Sequence, residues 1–235
     1  SDPGLDLENY GIENALFRLH SPGIERKFLA ATLHDNEIIL QGGAFTSRLN
    51  STLSTKPIDL ALHDLPARQA HTINHIEEGV LLIGGRSSPN NPLEDVWLLQ
   101  EDSGIYRWKQ MESLPASRSR HSSFNLGEDI YVYGGNFQEP PFVRYSSGSW
   151  LTVTHQGPLE SLASGALAFN GSNTGVVIGG MNSSCEIQDS LYVFSIENKV
   201  IKSQMVFRDP LLSRYGANVT FISDSRNIPS KCQPV

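Results

Sequence analysis

Short apolar runs recur along the chain, and each ends at a pair of glycines. Residues 37–41 (Glu-Ile-Ile-Leu-Gln) lead to Gly42-Gly43, and 80–83 (Val-Leu-Leu-Ile) lead to Gly84-Gly85. Residues 130–133 (Ile-Tyr-Val-Tyr) lead to Gly134-Gly135, and 176–178 (Val-Val-Ile) to Gly179-Gly180. Runs of this length, rich in β-branched and aromatic residues and closed by glycine, predict strands rather than helices. The pairs are 42, 50 and 45 residues apart.

Other positions keep the same register. Arg26, Arg68 and Arg118 each lie 16 residues before the first glycine of their pair, and His71 and His121 lie 13 before. Trp97 and Tyr192 each lie 12 after the second glycine, inside the apolar runs 96–99 and 191–194. Trp108 and Trp150 mark a last strand before a polar turn such as Leu114-Pro115-Ala116. The unit reads as strand, turn, strand ending in Gly-Gly, loop, aromatic strand, turn, last strand. Four antiparallel strands in about 45 residues is the size of one propeller blade. A blade cannot bury both faces alone; stacking blades around an axis does so, and glycine lets the inner parts approach closely. The predicted fold is all-β: a β-propeller of about four four-stranded blades plus the start of a fifth, part of a larger ring. An open ring would expose strand edges and the faces of its end blades.

The register has departures. In the fourth unit the offsets place Ala163 at the arginine position and Ala166 at the histidine position. In the third, Tyr145 and Trp150 replace the aromatic expected 12 residues after Gly135. A fifth unit opens at Ser213-Arg214-Tyr215-Gly216 and is expected to continue as a strand through 219–222, but Ser230 stands where a glycine is due. Residues 1–23 are read as a preceding segment, with 15–19 a candidate last strand of an earlier blade; 24–226 carry the blades and 227–235 an irregular tail.

Composition narrows the function classes. The 235 residues carry 18 Lys and Arg against 25 Asp and Glu, a net charge of -7, which argues against a chain devoted to gripping phosphate backbones. No apolar run approaches the roughly 20 residues of a membrane helix, and no secretory leader is visible at Ser1; a cytoplasmic location without membrane attachment is expected. Cys185 and Cys232 cannot make a disulfide framework, and apart from Lys231 neither has beside it a histidine or basic residue of the kind that activates a thiolate, so both are read as buried or incidental. The glycosylation triplets at Asn50, Asn170, Asn182 and Asn218 are read as chance.

No phosphate loop, dinucleotide fingerprint or Gly-x-Ser-x-Gly elbow occurs. Gly84-Gly85-Arg86 precedes Ser-Ser-Pro-Asn-Asn-Pro, which does not open the helix that a cofactor loop needs. His75-Ile76-Glu77 has the His-x-carboxylate spacing of a facial metal triad, with His121 or His155 as third ligand, yet it is better read as one face of a solvated strand. No catalytic, metal or cofactor-binding residue is assigned. The recurring arginines are expected to bond neighbouring carbonyls or a carboxylate, their planar forks holding blade to blade. Arg86 and Arg120 do not recur, and 105–125 carries Arg107, Lys109, Arg118 and Arg120 against Glu112. Candidate substrate or partner contacts are Arg86, Ser88, Arg118, Arg120 and His121, with the loops 44–56, 86–95, 136–141 and 181–189 as contact surfaces.

The Gly-Gly register, with its arginine and aromatic offsets, resembles the kelch family of β-propellers across roughly 24–223. Two stretches are similar to a narrower family. Leu81-Leu-Ile-Gly-Gly-Arg-Ser-Ser-Pro89 followed by Leu93-Glu-Asp-Val-Trp97, and Glu25-Arg-Lys-Phe28 followed by Gln41-Gly-Gly43, look like the kelch half of the tRNA wybutosine-synthesizing protein 4 family, relatives of leucine carboxyl methyltransferases. That resemblance implies an S-adenosylmethionine-dependent methyltransferase domain in cis and phenylalanine tRNA as partner. This chain would then be a non-catalytic scaffold or substrate-cavity wall that binds no cofactor itself. The alternative is a stand-alone kelch module that binds a protein partner.

Overall fold

Hairpins that close on tight turns build each sheet of the computed structural model, which describes residues 30–34, 37–41, 52–53, 65, 68–103 and 105–220. The first sheet has β1 (Ala30–His34), β2 (Glu37–Gln41) and β3 (Thr52–Leu53) in that order. The second starts with β4 (Thr72–Ile76) and β5 (Gly79–Ile83). A small ribbon of β6 (Arg86–Ser88) and β7 (Asn91–Pro92) follows, and β8 (Val96–Asp102) and β9 (Ile105–Gln110) complete the order β4-β5-β8-β9. The third runs β10 (Ser122–Leu126), β11 (Asp129–Tyr133), β12 (Phe142–Ser146), β13 (Ser149–Thr152). In the fourth, β14 (Thr154–Gln156) lies parallel beside the last strand of the meander β15 (Ala166–Phe169), β16 (Thr174–Ile178), β17 (Ser190–Glu197), β18 (Val200–Arg208). These sheets are blades I to IV of a β-propeller.

The apolar cores lie between blades. Ile73, Trp97, Leu99, Tyr106 and Trp108 of blade II pack with Ala30 of blade I. Leu81, Ile83 and Leu98 meet Ile130, Val132 and Tyr145 between blades II and III. Between III and IV, the Phe194 ring stands 5.6 Å from Phe142 and 5.7 Å from Phe124. Covered on both faces, residues 80–83 are wholly buried, and a continuous apolar run replaces the usual alternation. Blade IV alternates instead: Val177, Tyr192 and Phe194 are buried, whereas Val176, Ile178, Leu191 and Val193 on the other face are half-buried.

The glycine pairs divide their work. A Cβ on the first glycine would strike the incoming backbone of the next blade. Gly84 would meet the Arg118 carbonyl oxygen at 2.6 Å, Gly134 that of Leu162 at 2.2 Å, and Gly179 that of Arg214 at 2.3 Å. A Cβ on the second would strike the blade's own inner strand, Gly85 meeting His71, Gly135 His121 and Gly180 Gly165. The second glycine's N–H donates to the same carbonyl, from Gly85 to Arg118 (2.8 Å), Gly135 to Leu162 (2.9 Å) and Gly180 to Arg214 (2.8 Å).

These contacts correct the register of the fourth unit. Leu162 and Gly165, not Ala163 and Ala166, occupy the arginine and histidine positions. The β15–β16 turn is longer than its counterparts at 77–78 and 127–128. Asn170 holds it, its Oδ1 accepting from the N–H groups of Ser172, Asn173 and Thr174. In blade III the shorter connection after Gly135 brings Val143 to the place of Trp97, since Val143 faces Val132 as Trp97 faces Leu82. Tyr145 lies two residues further along the strand, paired with Trp150 at 5.1 Å between rings. Where the fifth unit is expected to open, Arg214 O accepts the Gly180 N–H of blade IV as Arg118 O accepts the Gly85 N–H of blade II. Val219 and Thr220 form no strand. Arg26, the 15–19 strand, most of the 44–56 loop, 221–222 and the tail lie outside the described residues.

The steric argument yields a matched pair of substitutions. Gly134→Ala should destabilise by about 3 kcal/mol or more, from a backbone clash added to left-handed strain. Gly127→Ala, at φ 61° with open space around it, should cost about 1 kcal/mol. Urea midpoints of the two variants check the difference.

Candidate functional site

Where the chain enters the inner strands of blades II, III and IV, and again at 216, one residue adopts left-handed φ: Ala70 (56°), Arg120 (59°), Ser164 (55°) and Gly216 (70°). These residues link blade to blade by backbone hydrogen bonds. Arg120 N–H donates to Ala70 O at 2.9 Å, Ser164 to Arg120 at 2.8 Å, and Gly216 to Ser164 at 2.8 Å. The loops that follow Gly85, Gly135 and Gly180 open on this same face, while the hairpin turns 77–78, 127–128 and 147–148 lie at the opposite ends of the strands.

Two residues before the ring, Arg68 and Arg118 act as braces. Both are 1 % exposed. Arg68 Nη1 donates to Gly84 O (2.9 Å) and Asp95 Oδ1 (2.8 Å), and Nη2 to Asp95 Oδ2 (2.5 Å). Burial alone would raise the Asp95 carboxyl, but the hydrogen bonds and charge of Arg68, with the Trp97 indole N–H, hold it below the ordinary range. Arg118 donates to the carbonyls of Gly134 (2.8 Å) and Pro140 (2.7 Å). Burial lowers its pKa to about 10, with Glu139 opposing. The expectation that the guanidinium forks hold blade to blade is therefore corrected: each fork braces its own blade, and the backbone carbonyl of Arg118 makes the crossing. His121 lies beneath Gly84, its Nε2 3.0 Å from Thr72 Oγ1.

The remaining candidates differ in access. Ser88 is exposed at the end of β6, and Arg120 is half-buried. Arg86 is only 8 % exposed and pairs through its backbone with Gln69, next to Ala70. Burial, and then the charge of Arg120, lower the Arg86 pKa. Arg120 lines a cavity of about 230 Å³ with Ser164, Met181, Cys185, Ile187 and Tyr215. Met181, Cys185 and Ile187 belong to the loop 181–189 expected as a contact surface; sequence reasoning missed Ser164 and Tyr215, although Ser164 stands at the register position of Arg120 once the extra turn residue is counted. The four cations of 105–125 do not converge: Arg107 pairs with Asp102, Lys109 lines another cavity, Arg118 is enclosed and Arg120 lines the 230 Å³ cavity.

That other cavity, about 920 Å³, opens on the opposite face among His75, Glu77, Glu78, Lys109, Glu128 and Tyr145. Its wall includes a polar ladder between inner strands, in which Asn74 Nδ2 donates to Asn125 Oδ1 (2.8 Å) and Ser123 Oγ to Asn74 Oδ1 (2.6 Å). His155 instead bonds Ser203 on blade IV, so it does not join His75 and Glu77. Among the described residues no three His, Cys, Asp or Glu side chains gather as metal ligands would.

A family model described as "tRNA wybutosine-synthesizing protein 4, beta-propeller" matches residues 65–228. The chain belongs to this family. Curated relatives named tRNA wybutosine-synthesizing protein 4 extend the match. The protein of Eremothecium gossypii is 29 % identical over 83 % of this chain and 30 % of its own length. That of Candida glabrata is 26 % identical over 94 % and 35 %, and that of Saccharomyces cerevisiae 28 % over 85 % and 32 %. The chain thus spans about a third of these relatives. The solved structure of YjhT superposes with a TM-score of 0.57 at 11 % identity, covering 79 % of this chain and 66 % of that one. It supports the propeller fold alone.

Burial fixes one pH response of this family member. Enclosure, then the charges of Arg118 and His71, lower the His121 pKa to about 3, whereas the unfolded imidazole titrates near 6.5. The unfolded chain therefore takes up the proton first. This contribution to stability is full above about pH 6.5 and is lost progressively as pH falls toward 3. His121→Gln should lower the urea midpoint at neutral pH yet shrink its fall on acidification. An unchanged acid slope would contradict the assignment.

Proposed function

We propose that this chain is the non-catalytic propeller wall of a tRNA-modifying enzyme, shaping the substrate cavity and holding the anticodon arm of phenylalanine tRNA against a methyltransferase domain in cis. The supporting observation is the family match over 65–228, together with relatives about three times longer, which leave room for such a domain. S-adenosylmethionine belongs in this reading to the methyltransferase part, and no residue of this chain is assigned to it. A cytoplasmic location accompanies the reading; among the described residues no helix is long and apolar enough to cross a membrane. The axial face is the contact surface, because its loops and half-buried Arg120 are open where Arg68 and Arg118 are enclosed. Propellers present function on loops carried by a rigid scaffold.

The half-exposed apolar face of blade IV suits a further blade of the same ring. Val176, Ile178, Leu191 and Val193 lie on it, and 213–216 already enters the inter-blade ring beside it. Val193→Arg in the full-length protein should therefore destabilise by about 2 kcal/mol or more, as burial of an unpaired charge does. A change within about 0.5 kcal/mol would mean that the face is solvated.

The functional reading is tested in cells. Replacing the gene with Arg120→Ala, with protein abundance checked by immunoblot, should reduce wybutosine in phenylalanine tRNA measured by nucleoside mass spectrometry. Wybutosine unchanged even on deletion of the whole gene would overturn the reading and favour the stand-alone interaction module.

A further inference from the structure

Three of the arginines near the axis have their charge accounted for differently. Arg68 has a carboxylate and a carbonyl. Arg118 has two carbonyls. Arg86 has neither: it is more than nine-tenths buried, its Nε is unpartnered as that of Arg118 is, and among the described residues no carbonyl or carboxylate accepts from the rest of its guanidinium. Beyond burial, the charge that acts on it is that of another cation, Arg120. Among the described residues no carboxylate pairs with either guanidinium, and the nearby Asp95 is committed to Arg68 and Trp97. A guanidinium with its Nε buried and unpartnered, beside another positive group and without a counter-charge, is better stabilised when an anion completes it.

The backbone brings the two residues close together. Arg86 bridges Gln69, and the next residue, Ala70, accepts the N–H of Arg120. Arg120 also lines the 230 Å³ cavity, whose wall includes Ser164 and Tyr215, residues that carry hydroxyl groups. One carboxylate satisfies one guanidinium fork. Two forks from different blades are better matched by a tetrahedral oxyanion, whose oxygens point in separate directions.

We propose that Arg86 and Arg120 form a binding site for a single phosphate group at the axial face of the propeller. Resting on the functional reading above, the phosphate is a backbone group of the bound tRNA. Free inorganic phosphate has the same chemistry and is the other source.

The test uses the full-length protein. Inorganic phosphate, titrated at constant ionic strength against chloride, should raise its thermal midpoint by mass action. Arg86→Met and Arg120→Met should each weaken that apparent affinity about tenfold or more, the size of one lost charge-assisted hydrogen bond. Without phosphate, Arg86→Met should be at least as stable as the unsubstituted protein, because an uncompensated buried charge has been removed, whereas Arg118→Met should be much less stable. A phosphate response in either variant equal to that of the unsubstituted protein would overturn the site, as would a collapse of Arg86→Met comparable to that of Arg118→Met. For the source, tRNA affinity is measured across salt concentrations. A logarithmic salt slope reduced by about one in Arg120→Met supports a backbone phosphate. An unchanged slope with lost phosphate binding overturns the RNA source and leaves free phosphate. Failure of the unsubstituted protein to bind tRNA counts against the functional reading, while the phosphate titration still decides the site.

Discussion

Each blade hangs on a single peptide group. The N–H of the second glycine in a pair donates to a carbonyl of the following blade, and the first glycine leaves the space through which that carbonyl approaches. The geometry excludes a Cβ at both positions and requires the left-handed backbone found at Gly84, Gly85, Gly134, Gly135, Gly179 and Gly180. Because the same carbonyl segment continues into the ring of Ala70, Arg120, Ser164 and Gly216, the contact fixes how far one blade advances around the axis relative to the last. The apolar layers supply the bulk of the burial, but they are non-directional and would tolerate slippage. The glycine peptide is the directional element.

The buried arginines depend on that contact. Arg118 is positioned by its backbone on blade II and by its guanidinium on the carbonyls of blade III, so docking and bracing are two ends of one residue. Enclosing a cation costs several kcal/mol unless hydrogen bonds replace its water, and carbonyls at 2.7 and 2.8 Å do so. Blade IV has Leu162 in the corresponding place. The backbone bond survives with no fork to support it, which shows that the carbonyl crossing and not the guanidinium is the indispensable part.

The two faces of the propeller are chemically unlike. One gathers the left-handed ring, Arg86 and Arg120; the other surrounds the larger cavity with Glu77, Glu78 and Glu128. A net negative chain can still offer a local positive site, and the resemblance in fold to YjhT carries no functional weight, because function resides in sites and not in the fold that bears them.

Much of the architecture was legible in the sequence. Gly-Gly doublets after apolar runs, with arginine 16 residues upstream, named the strands, their order and the repeating unit, because a backbone without Cβ and an enclosed cation each tolerate few substitutes. The register of blade IV was not legible: one extra residue in a turn held by Asn170 shifted the count, and only strand pairing revealed that Leu162 and Gly165 fill the positions assigned to their neighbours. Arg86, Ser88, Arg118, Arg120 and His121 all stood out as residue types, yet nothing along the chain separated Arg118, which is enclosed by carbonyls, from Arg86, which is enclosed beside another cation. Residue identity and spacing are properties of the chain and determine the blade. Which charge finds a partner depends on atoms from different blades meeting at the axis, and only the tertiary structure decides that.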